Sequence, residues 1–292
     1  MKLSLTEEQT MIKDMACKFA NSVLEPAAKA LDRGDDKAAE RALFLHNLKQ
    51  LAELGFMGLN VKSEYGGSDA GVVAFSLALT QVARVCASTA VTMSVTNMVG
   101  EVIQAIGSEE QKQRYLPKLC SGDYAAGGFC LSEAGVGSDP AGMKTSAVLD
   151  NNEWVLNGTK IWISSAEYAG IFVVCAVTDP MAAKGKGISC FLVEAGTSGL
   201  IIGKAEEKMG QHGSATNTVI FDDCRIPKSA LMGVLNDGFR IALSELSGGR
   251  IGIGSLALGI GQSAMDYARK YTTERQQFGS SISDLQGPQW MM

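Results

Sequence analysis

One run of residues places hydroxyl and backbone N–H groups directly after an apolar strand. In Phe129-Cys-Leu-Ser-Glu-Ala-Gly-Val-Gly-Ser-Asp139, the first residues predict a strand and the rest a turn rich in Ser and Gly. Glycines let a backbone approach a ligand closely, and free N–H groups suit a phosphate or the polar edge of a heterocycle. Local chemistry alone leaves a ligand-binding loop and a plain strand-to-loop turn equally open.

A second run pairs aromatic rings with a hydroxyl. Trp154-Val-Leu-Asn-Gly-Thr-Lys-Ile-Trp-Ile-Ser164 predicts a β-hairpin that turns at Asn157-Gly158. The indole of Trp162 could stack on a planar cofactor, while the Ser164 hydroxyl two residues later bonds its edge. The alternative is that Trp154 and Trp162 are simply core residues.

Gly259-Ile-Gly-Gln-Ser-Ala264 matches the G-x-G-x-x-A dinucleotide fingerprint by letters. That fingerprint requires a strand immediately before it and a surrounding βαβ unit. Here the preceding residues are small and aliphatic, and the pattern continues as a helix. We therefore favour close helix packing, and keep an NAD-binding oxidoreductase as an alternative of a different class.

The composition excludes several other classes. Thirty-one acidic and 26 basic residues give a formal net charge of −5 and a pI near 5.2, which argues against nucleic-acid binding. No apolar run approaches the roughly 18 residues of a membrane span, and the N-terminus resembles neither a signal nor a transit peptide. Seven unpatterned cysteines and only two histidines, His46 and His212, predict no metal site and a reducing cytoplasm.

The order of elements predicts a multi-domain α+β protein. Amphipathic helical patterns fill residues 1–122, with capping signals at Thr6 and Ser108 and a stop or kink at Pro26. Short β-branched segments in 123–230 predict an antiparallel barrel or sandwich, with turns that include Asp222-Asp223. Helical texture returns from Asp237 to Thr273, so 231–292 predicts a C-terminal helical region.

These runs, taken together, resemble the acyl-CoA dehydrogenase family, and its short-chain members in particular. The resemblance covers the whole chain in the right order. The matching residues are Glu64-Tyr-Gly-Gly67, Gly107-Ser-Glu-Glu-Gln111 with Leu116-Pro117, Leu131–Asp139, Leu156–Ser164, Phe221-Asp-Asp-Cys-Arg-Ile-Pro227, Gly249-Arg-Ile-Gly-Ile253 and Glu274-Arg-Gln-Gln-Phe-Gly279.

The resemblance implies an FAD site and an acyl-CoA site. The residues expected to contact FAD are Phe129, Leu131, Ser132, Ser138, Trp162, Ile163 and Ser164, together with Arg275, Phe278 and Gln286 toward the FAD of a neighbouring subunit. Those expected to contact the acyl-CoA are Ser138, on its phosphopantetheine, and Ser247, Gly248, Gly249 and Arg250.

The implied activity is the α,β-dehydrogenation of a short-chain acyl-CoA thioester in fatty-acid β-oxidation. A carboxylate removes the α proton, a hydride passes from the β carbon to the flavin, and electrons leave to an electron-transferring flavoprotein. The neighbouring-subunit contacts imply a homo-oligomer, usually a tetramer.

The catalytic base is where this sequence departs from the family pattern. The resemblance implies that 231–292 is the start of an incomplete C-terminal helical bundle. Short-chain members carry the base near the end of that bundle, so we expect it beyond Met292. Other members carry it just before the arginine matched by Arg250, where this chain has Gly249. Glu245 lies one turn away and is expected to make a helix contact. The alternative is a relative that lacks the base, binds FAD and a CoA thioester, and performs another reaction or none.

The acyl group itself stays open at this stage. Branched, aromatic-derived and dicarboxylic groups all remain alternatives to a short straight chain. An acidic acyl tail would need a cationic partner, and Arg84 is the candidate, although a solvated arginine is the simpler interpretation.

Overall fold

The described residues before Gly122 form six α-helices. The computed structural model describes residues 4–33 and 36–292. Both predicted capping boxes are present, because Thr6 and Ser108 each exchange hydrogen bonds with the Gln three residues later. The helices are α1 (Glu7–Phe19), α2 (Glu25–Arg33), α3 (Lys37–Glu53), α4 (Gly71–Ala83), α5 (Ala87–Ile106) and α6 (Glu109–Ser121).

The break expected at Pro26 comes earlier in the chain. A π-helical segment, Ala20–Leu24, follows α1 and leads directly into α2. The three helical segments follow one another without a gap, so Pro26 lies inside a continuous helical run, two residues after the π-helical segment. The proline removes one backbone hydrogen bond beside this irregular turn but does not stop the helix.

The middle of the chain forms one eight-stranded sheet in the order β6-β7-β3-β2-β4-β5-β8, with β1 beside β4. The predicted α+β class is confirmed. The purely antiparallel arrangement is wrong, because β1 runs parallel to β4. The pairings of the described strands form an open path from β6 to β8, so barrel closure stays a prediction. The strands are β1 (Ala126–Cys130), β2 (Ser146–Asp150), β3 (Glu153–Ser164), β4 (Ala169–Val177), β5 (Ile188–Glu194), β6 (Leu200–Ala205), β7 (Thr216–Pro227) and β8 (Leu231–Met232).

Two predicted turns are strand interiors instead. Asn157-Gly158 lies within β3 and Asp222-Asp223 within β7, at a register shift between these two paired strands. The Asn157 amide donates to the Asp223 carboxylate at 3.1 Å, and the Asp223 N–H donates to Asn157 Oδ1 at 2.9 Å. Both turn signals therefore mark one β-bulge, where these side chains replace lost ladder bonds. The hairpin turn is at Asn151-Asn152, which both have positive φ.

The C-terminal region is dominated by one long helix. This helix, α7 (Gly238–Glu274), begins after Asp237 as predicted. A small antiparallel ribbon and a short helix follow it: β9 (Gln276–Gln277), β10 (Ser280–Ser281) and α8 (Gln286–Met291).

One hydrophobic cluster joins the three parts of the chain. Val99 and Val102 of α5, Leu131 at the end of β1, and Ile241 of α7 are all buried in it, and Val136 of the Ser/Gly-rich loop packs against it. The core therefore holds that loop, α5 and the start of α7 side by side.

Gly67 provides a test of backbone packing. A Cβ at this residue would lie 2.0 Å from the Val61 carbonyl oxygen. Because backbone cannot move aside cheaply, we expect Gly67→Ala to lower the free energy of unfolding by about 2 kcal/mol or more. Gly210→Ala is the matched control, since a Cβ there meets nothing within 4 Å. Urea denaturation measures both, and equal losses would contradict the account.

Candidate active site

The end of β1 and the loop after it are held against β3. The Ile161 N–H donates to the Ser132 carbonyl at 3.0 Å, so the chain leaving β1 lies beside β3 although β1 pairs with β4. Leu131 is buried, and Phe129 and Ser132 are half-buried. The two runs singled out in the sequence therefore form one surface.

A buried ion pair fixes this junction. Lys160 of β3 is 0% exposed, and its Nζ donates to Glu133 Oε1 at 2.9 Å and to the Leu131 carbonyl at 3.0 Å. The other bonds to Glu133 come from the N–H groups of Lys144 and Thr145, at 2.7 and 3.0 Å. Although burial opposes ionisation, these donors together hold the pKa of Glu133 below its usual range.

Sequence reasoning missed this pair, although a signal for it exists. Lys160 occupies an inward position of β3, in line with the buried Trp154 and Leu156. A lysine on the apolar side of an alternating strand requires an acidic partner. In the nearest motif, Leu131–Asp139, Glu133 is the one carboxylate that precedes the glycines.

Trp162 projects from β3 on the surface that this junction forms. Its side chain is 64% exposed and its φ is 56°, a left-handed conformation that is costly for a bulky residue. Two features of β3 explain this backbone geometry. The next residue, Ile163, is buried, and the strand pairing is irregular between Lys160 and Ile163. The core interpretation of Trp162 is therefore wrong, whereas Trp154 is buried against Phe191.

A serine follows this exposed indole two residues later in β3. Ser164 is half-buried at the end of β3, and Ser165 after it is fully buried with a φ of 62°. The Ser165 hydroxyl shares a hydrogen bond with Thr92 of α5 at 2.9 Å, which anchors the end of β3 to the helical region.

The loop after Glu133 is open to approach. Ser138 is exposed, and a Cβ on Gly135 or Gly137 would meet nothing within 4 Å. Val136 anchors the middle of the loop in the shared core. Hydroxyl and backbone groups of the loop are thus presented on a fixed base.

The predicted substrate residues on α7 face α5. A Cβ on Gly249 would lie 3.1 Å from Met98 Sδ, and one on Gly248 would lie 3.8 Å from Glu101 Oε2. Ser247 and Arg250 are exposed. The structure thus brings Gly248 and Gly249 beside α5, which itself packs on β1 through the bond from the Gly127 N–H to Thr96 Oγ1 at 3.2 Å.

Glu245 on α7 and Glu101 on α5 form an acidic pair. Burial, and then the Glu101 carboxylate, raise the pKa of Glu245 to about 8. Burial also raises the pKa of Glu101, against the Asn60 amide that donates to it at 2.7 Å. The predicted helix contact of Glu245 is therefore made with another acid.

This pair predicts a pH dependence of stability. Unfolded Glu245 ionises near the ordinary glutamate value, whereas folded Glu245 keeps its proton up to about pH 8. Its contribution to stability is therefore complete below the ordinary pKa and is lost as the pH rises through about 8. We expect Glu245→Gln to flatten the decline in unfolding free energy between about pH 5 and pH 9. An unchanged decline in urea titrations would refute this assignment.

The residues expected to reach a neighbouring subunit lie far from this site. Arg275 and Phe278 follow the end of α7, and Gln286 begins α8. At 1.5 Å per residue, Arg275 is about 40 Å along the helix from Gly248. Phe278 is 92% exposed with a φ of 53°. Along α7, these residues therefore lie far from the glycines beside α5.

The interpretation of Gly259–Ala264 as an NAD-binding fingerprint is wrong. Gly259–Ala264 lies in the middle of α7, so no strand precedes it. A Cβ on Gly259 would meet the Thr80 carbonyl at 2.5 Å, and one on Gly252 would meet Ser94 Oγ at 2.2 Å. These glycines allow α7 to pack closely against α4 and α5.

Arg84, the candidate partner for an acidic acyl tail, already has an acidic partner within the chain. Its guanidinium donates to Asp266 of α7 at 2.6 Å, an ion pair between α4 and α7.

Within residues 4–33 and 36–292, no helix has the length and apolarity that a membrane crossing requires. The same residues hold no group of three or more His, Cys, Asp or Glu side chains suited to a metal ion.

Comparison with solved structures shows the same architecture in three proteins. Butyryl-CoA dehydrogenase from Megasphaera elsdenii matches with a TM-score of 0.93 and 34% identity, over 99% of this chain and 75% of that one. A chain in the structure described as the electron transferring flavoprotein of Acidaminococcus fermentans matches at 0.93 and 40%, over 100% and 75%. An acyl-CoA dehydrogenase complexed with FAD from Bacillus anthracis matches at 0.90 and 32%, over 98% and 47%.

Comparison of sequences gives the same result. The acryloyl-CoA reductase (NADH) of Anaerotignum propionicum is 43% identical, over 99% of this chain and 72% of the relative. The short-chain specific acyl-CoA dehydrogenase of Clostridium acetobutylicum is 38% identical, over 100% and 75%. The acyl-CoA dehydrogenase N-terminal, middle and C-terminal domain models match residues 6–123, 128–224 and 236–292. The chain belongs to the acyl-CoA dehydrogenase family and is an oxidoreductase acting on the CH–CH bond of an acyl-CoA.

Proposed function

We propose that the chain catalyses the FAD-dependent α,β-dehydrogenation of a short-chain acyl-CoA thioester. The observation that carries this proposal is the exposed Trp162, held in a left-handed conformation beside the Ser/Gly-rich loop. A folded protein retains such an aromatic ring at a strained position where a ligand uses it. The relatives named above act on or are described with acyl-CoA thioesters and flavin.

The residues on this surface fit a flavin. A planar ring system requires an aromatic face, apolar support and a few polar groups at its edge. Trp162 is exposed, Leu131 is buried directly before the loop, and Ser132 and Ser164 are half-buried with hydroxyl side chains. Phe129 and Ile163 add apolar support from the same two segments. When bound, FAD supplies an acceptor for the hydride that leaves the β carbon.

The chain's own residues bind and orient the thioester. Ser138 is proposed to contact the phosphopantetheine, and Ser247–Arg250 to line the acyl site beside α5. Gly249 has no side chain, and the Cβ of Glu245 is tilted toward the N-terminus of α7, away from Gly249. We therefore assign no described residue as the base that removes the α proton, and a relative that binds both ligands without dehydrogenating remains the alternative.

The 43% identity to an NADH-dependent acryloyl-CoA reductase favours a second candidate at the same site. In that case the chain would reduce a short 2-enoyl-CoA instead of oxidising the saturated thioester. Since both directions use the same bound groups, the electron donor or acceptor supplied by a partner decides between them.

We propose an electron-transferring flavoprotein as that partner, and a homotetramer as the assembly. Support comes from the match to a chain in an electron-transferring flavoprotein structure. The long separation of Arg275, Phe278 and Gln286 from Gly248, measured along α7, suits contacts to the flavin of a neighbouring subunit. Location in the cytoplasm stays a prediction from the unpatterned cysteines.

Anaerobic mixing with butyryl-CoA tests the reaction. The flavin-loaded protein is mixed with butyryl-CoA, the visible flavin band is recorded, and the thioester is analysed by mass spectrometry. Loss of the band with formation of 2-butenoyl-CoA supports dehydrogenation. A flavin band that butyryl-CoA perturbs without bleaching supports the alternative of a protein without a base. A band that responds to no acyl-CoA rejects the proposal.

A further inference from the structure

A small cavity lies beside Ser164, the serine proposed to bond the flavin edge. Its volume is about 310 Å³, and its wall is formed by Ser164 and by residues between Lys208 and Thr216. Thr216 pairs with Ser164 across the neighbouring strands β7 and β3, so this segment is attached to the sheet directly beside the serine. Among the described residues that line the cavity, Lys208 has the one charged side chain.

Hydrogen bonds fix Lys208 in the wall of this cavity. Its Nζ donates to the Ser214 carbonyl at 2.7 Å, and its own carbonyl accepts from His212 Nε2 at 2.7 Å. Ser214 is buried, and its hydroxyl shares a hydrogen bond with that of Thr92 in α5 at 3.3 Å. The ammonium group of Lys208 is therefore held in place by contacts that extend to the helical region.

The charge of Lys208 has no acidic partner in the part of the chain that the structure describes, because no carboxylate oxygen there lies within 4.0 Å of its Nζ. Glu167, which acts on it from a greater distance, is bound to Arg41, and His212 is bound to Asp32. Burial lowers the pKa of Lys208, because the ammonium has lost part of its water. A lysine ordinarily ionises near pH 10, so the cavity holds a partly dehydrated cation at neutral pH.

We propose that Lys208 raises the reduction potential of the bound flavin by placing a fixed cation beside it. This inference rests on the proposed function, because that function places the flavin edge at Ser164. A hydride that leaves the β carbon brings its negative charge to the flavin, so the reduced ring system is an anion, whereas the oxidised one is neutral. The cation therefore stabilises the reduced flavin more than the oxidised flavin and favours removal of the hydride from the thioester.

The size of the effect follows from distance and dielectric. Groups that line one cavity of this volume lie within about 10 Å of each other, and at an effective dielectric of about 20 a unit charge at that distance changes an equilibrium constant by roughly tenfold or more. A tenfold change in a two-electron equilibrium corresponds to about 30 mV. A lysine that is surrounded by water and salt should have a much smaller effect, because its charge is screened.

Three substitutions at Lys208 separate its charge from its hydrogen bond to Ser214. Lys208→Arg keeps both, Lys208→Gln keeps a donor without the charge, and Lys208→Met removes both. The potential of the FAD-loaded protein, without substrate, is measured by anaerobic equilibration with a reference dye at pH 7. We expect Lys208→Gln and Lys208→Met each to shift the equilibrium at least about tenfold toward oxidised flavin, a lowering of about 30 mV, while Lys208→Arg stays within about threefold.

Lys204→Gln is the matched control, because the Lys204 side chain is 88% exposed on β6. It should shift the equilibrium by less than about threefold. A wild-type potential in Lys208→Gln overturns the inference, and a lowering confined to Lys208→Met does so too, because the hydrogen bond would then be what matters. Either result leaves the proposed function intact, since flavin is still bound. A folded protein that retains no flavin contradicts both.

Discussion

Lys160→Met is expected to lower the free energy of unfolding by about 3–5 kcal/mol and to abolish FAD retention. The substitution leaves Glu133 nearly buried with only two backbone donors, and it removes the bond to the Leu131 carbonyl. An uncompensated charge in the interior is far costlier than the loss of a paired one. Because the same lysine holds the chain beyond β1 against β3, the loop and Trp162 should lose their relative positions.

Two further variants separate charge from packing. Lys184→Met breaks an exposed ion pair to Asp139 of the same loop, and should cost less than about 1 kcal/mol. The double variant Lys160→Met/Glu133→Leu removes both charges, and should regain part of the stability without regaining FAD. Denaturant titration and gel filtration with FAD measure the two effects. A loss below 1 kcal/mol in Lys160→Met would show that the pair does not hold the junction.

Trp162→Ala is expected to weaken FAD binding by about thirtyfold, while the stability of the flavin-free protein changes by less than about 0.5 kcal/mol. The ring is 64% exposed, so its removal opens no cavity. Loss of a stacked indole removes its contact area with the cofactor and the favourable geometry of two aromatic systems. Alanine can keep the φ of 56°, and it has no aromatic ring that must be accommodated at this backbone angle.

Fluorescence titration of FAD measures this effect. Tyr267→Ala is the matched control, because that ring is 76% exposed on α7 and is assigned no contact with a ligand. Equal FAD affinity in Trp162→Ala and the wild type would show that the exposed indole serves another purpose. A large loss of flavin-free stability would instead make Trp162 a structural residue.

Local signals were sufficient for the elements that depend on neighbouring residues. The capping boxes at Thr6 and Ser108 and the start of α7 after Asp237 are set within four residues, so the sequence predicts them correctly. The hairpin turn predicted at Asn157-Gly158 was wrong because an Asn-Gly pair occurs both in hairpin turns and in β-bulges. Only the pairing of Asn157 with Asp223, 66 residues away, decides between them.

The site could be predicted only in part, because local motifs identify its segments but not the contacts between them. The resemblance of the motifs indicated which segments to consider. The structure brings the β1 loop, α5 and the start of α7 onto one shared core, and a backbone hydrogen bond from Ile161 joins that loop to β3. Glu101–Glu245 joins α5 and α7, and spacing along the chain carries no sign of it. Lys160–Glu133 also joins different elements, but the inward position of Lys160 in β3 signals that it needs an acidic partner.

The measurement that tests the central claim most directly is the visible absorption spectrum of the protein after incubation with FAD and gel filtration, before and after anaerobic addition of butyryl-CoA. The account predicts a flavin band that stays with the protein and changes when butyryl-CoA is added. A folded protein that emerges without flavin, or a flavin band that no acyl-CoA changes, would contradict it.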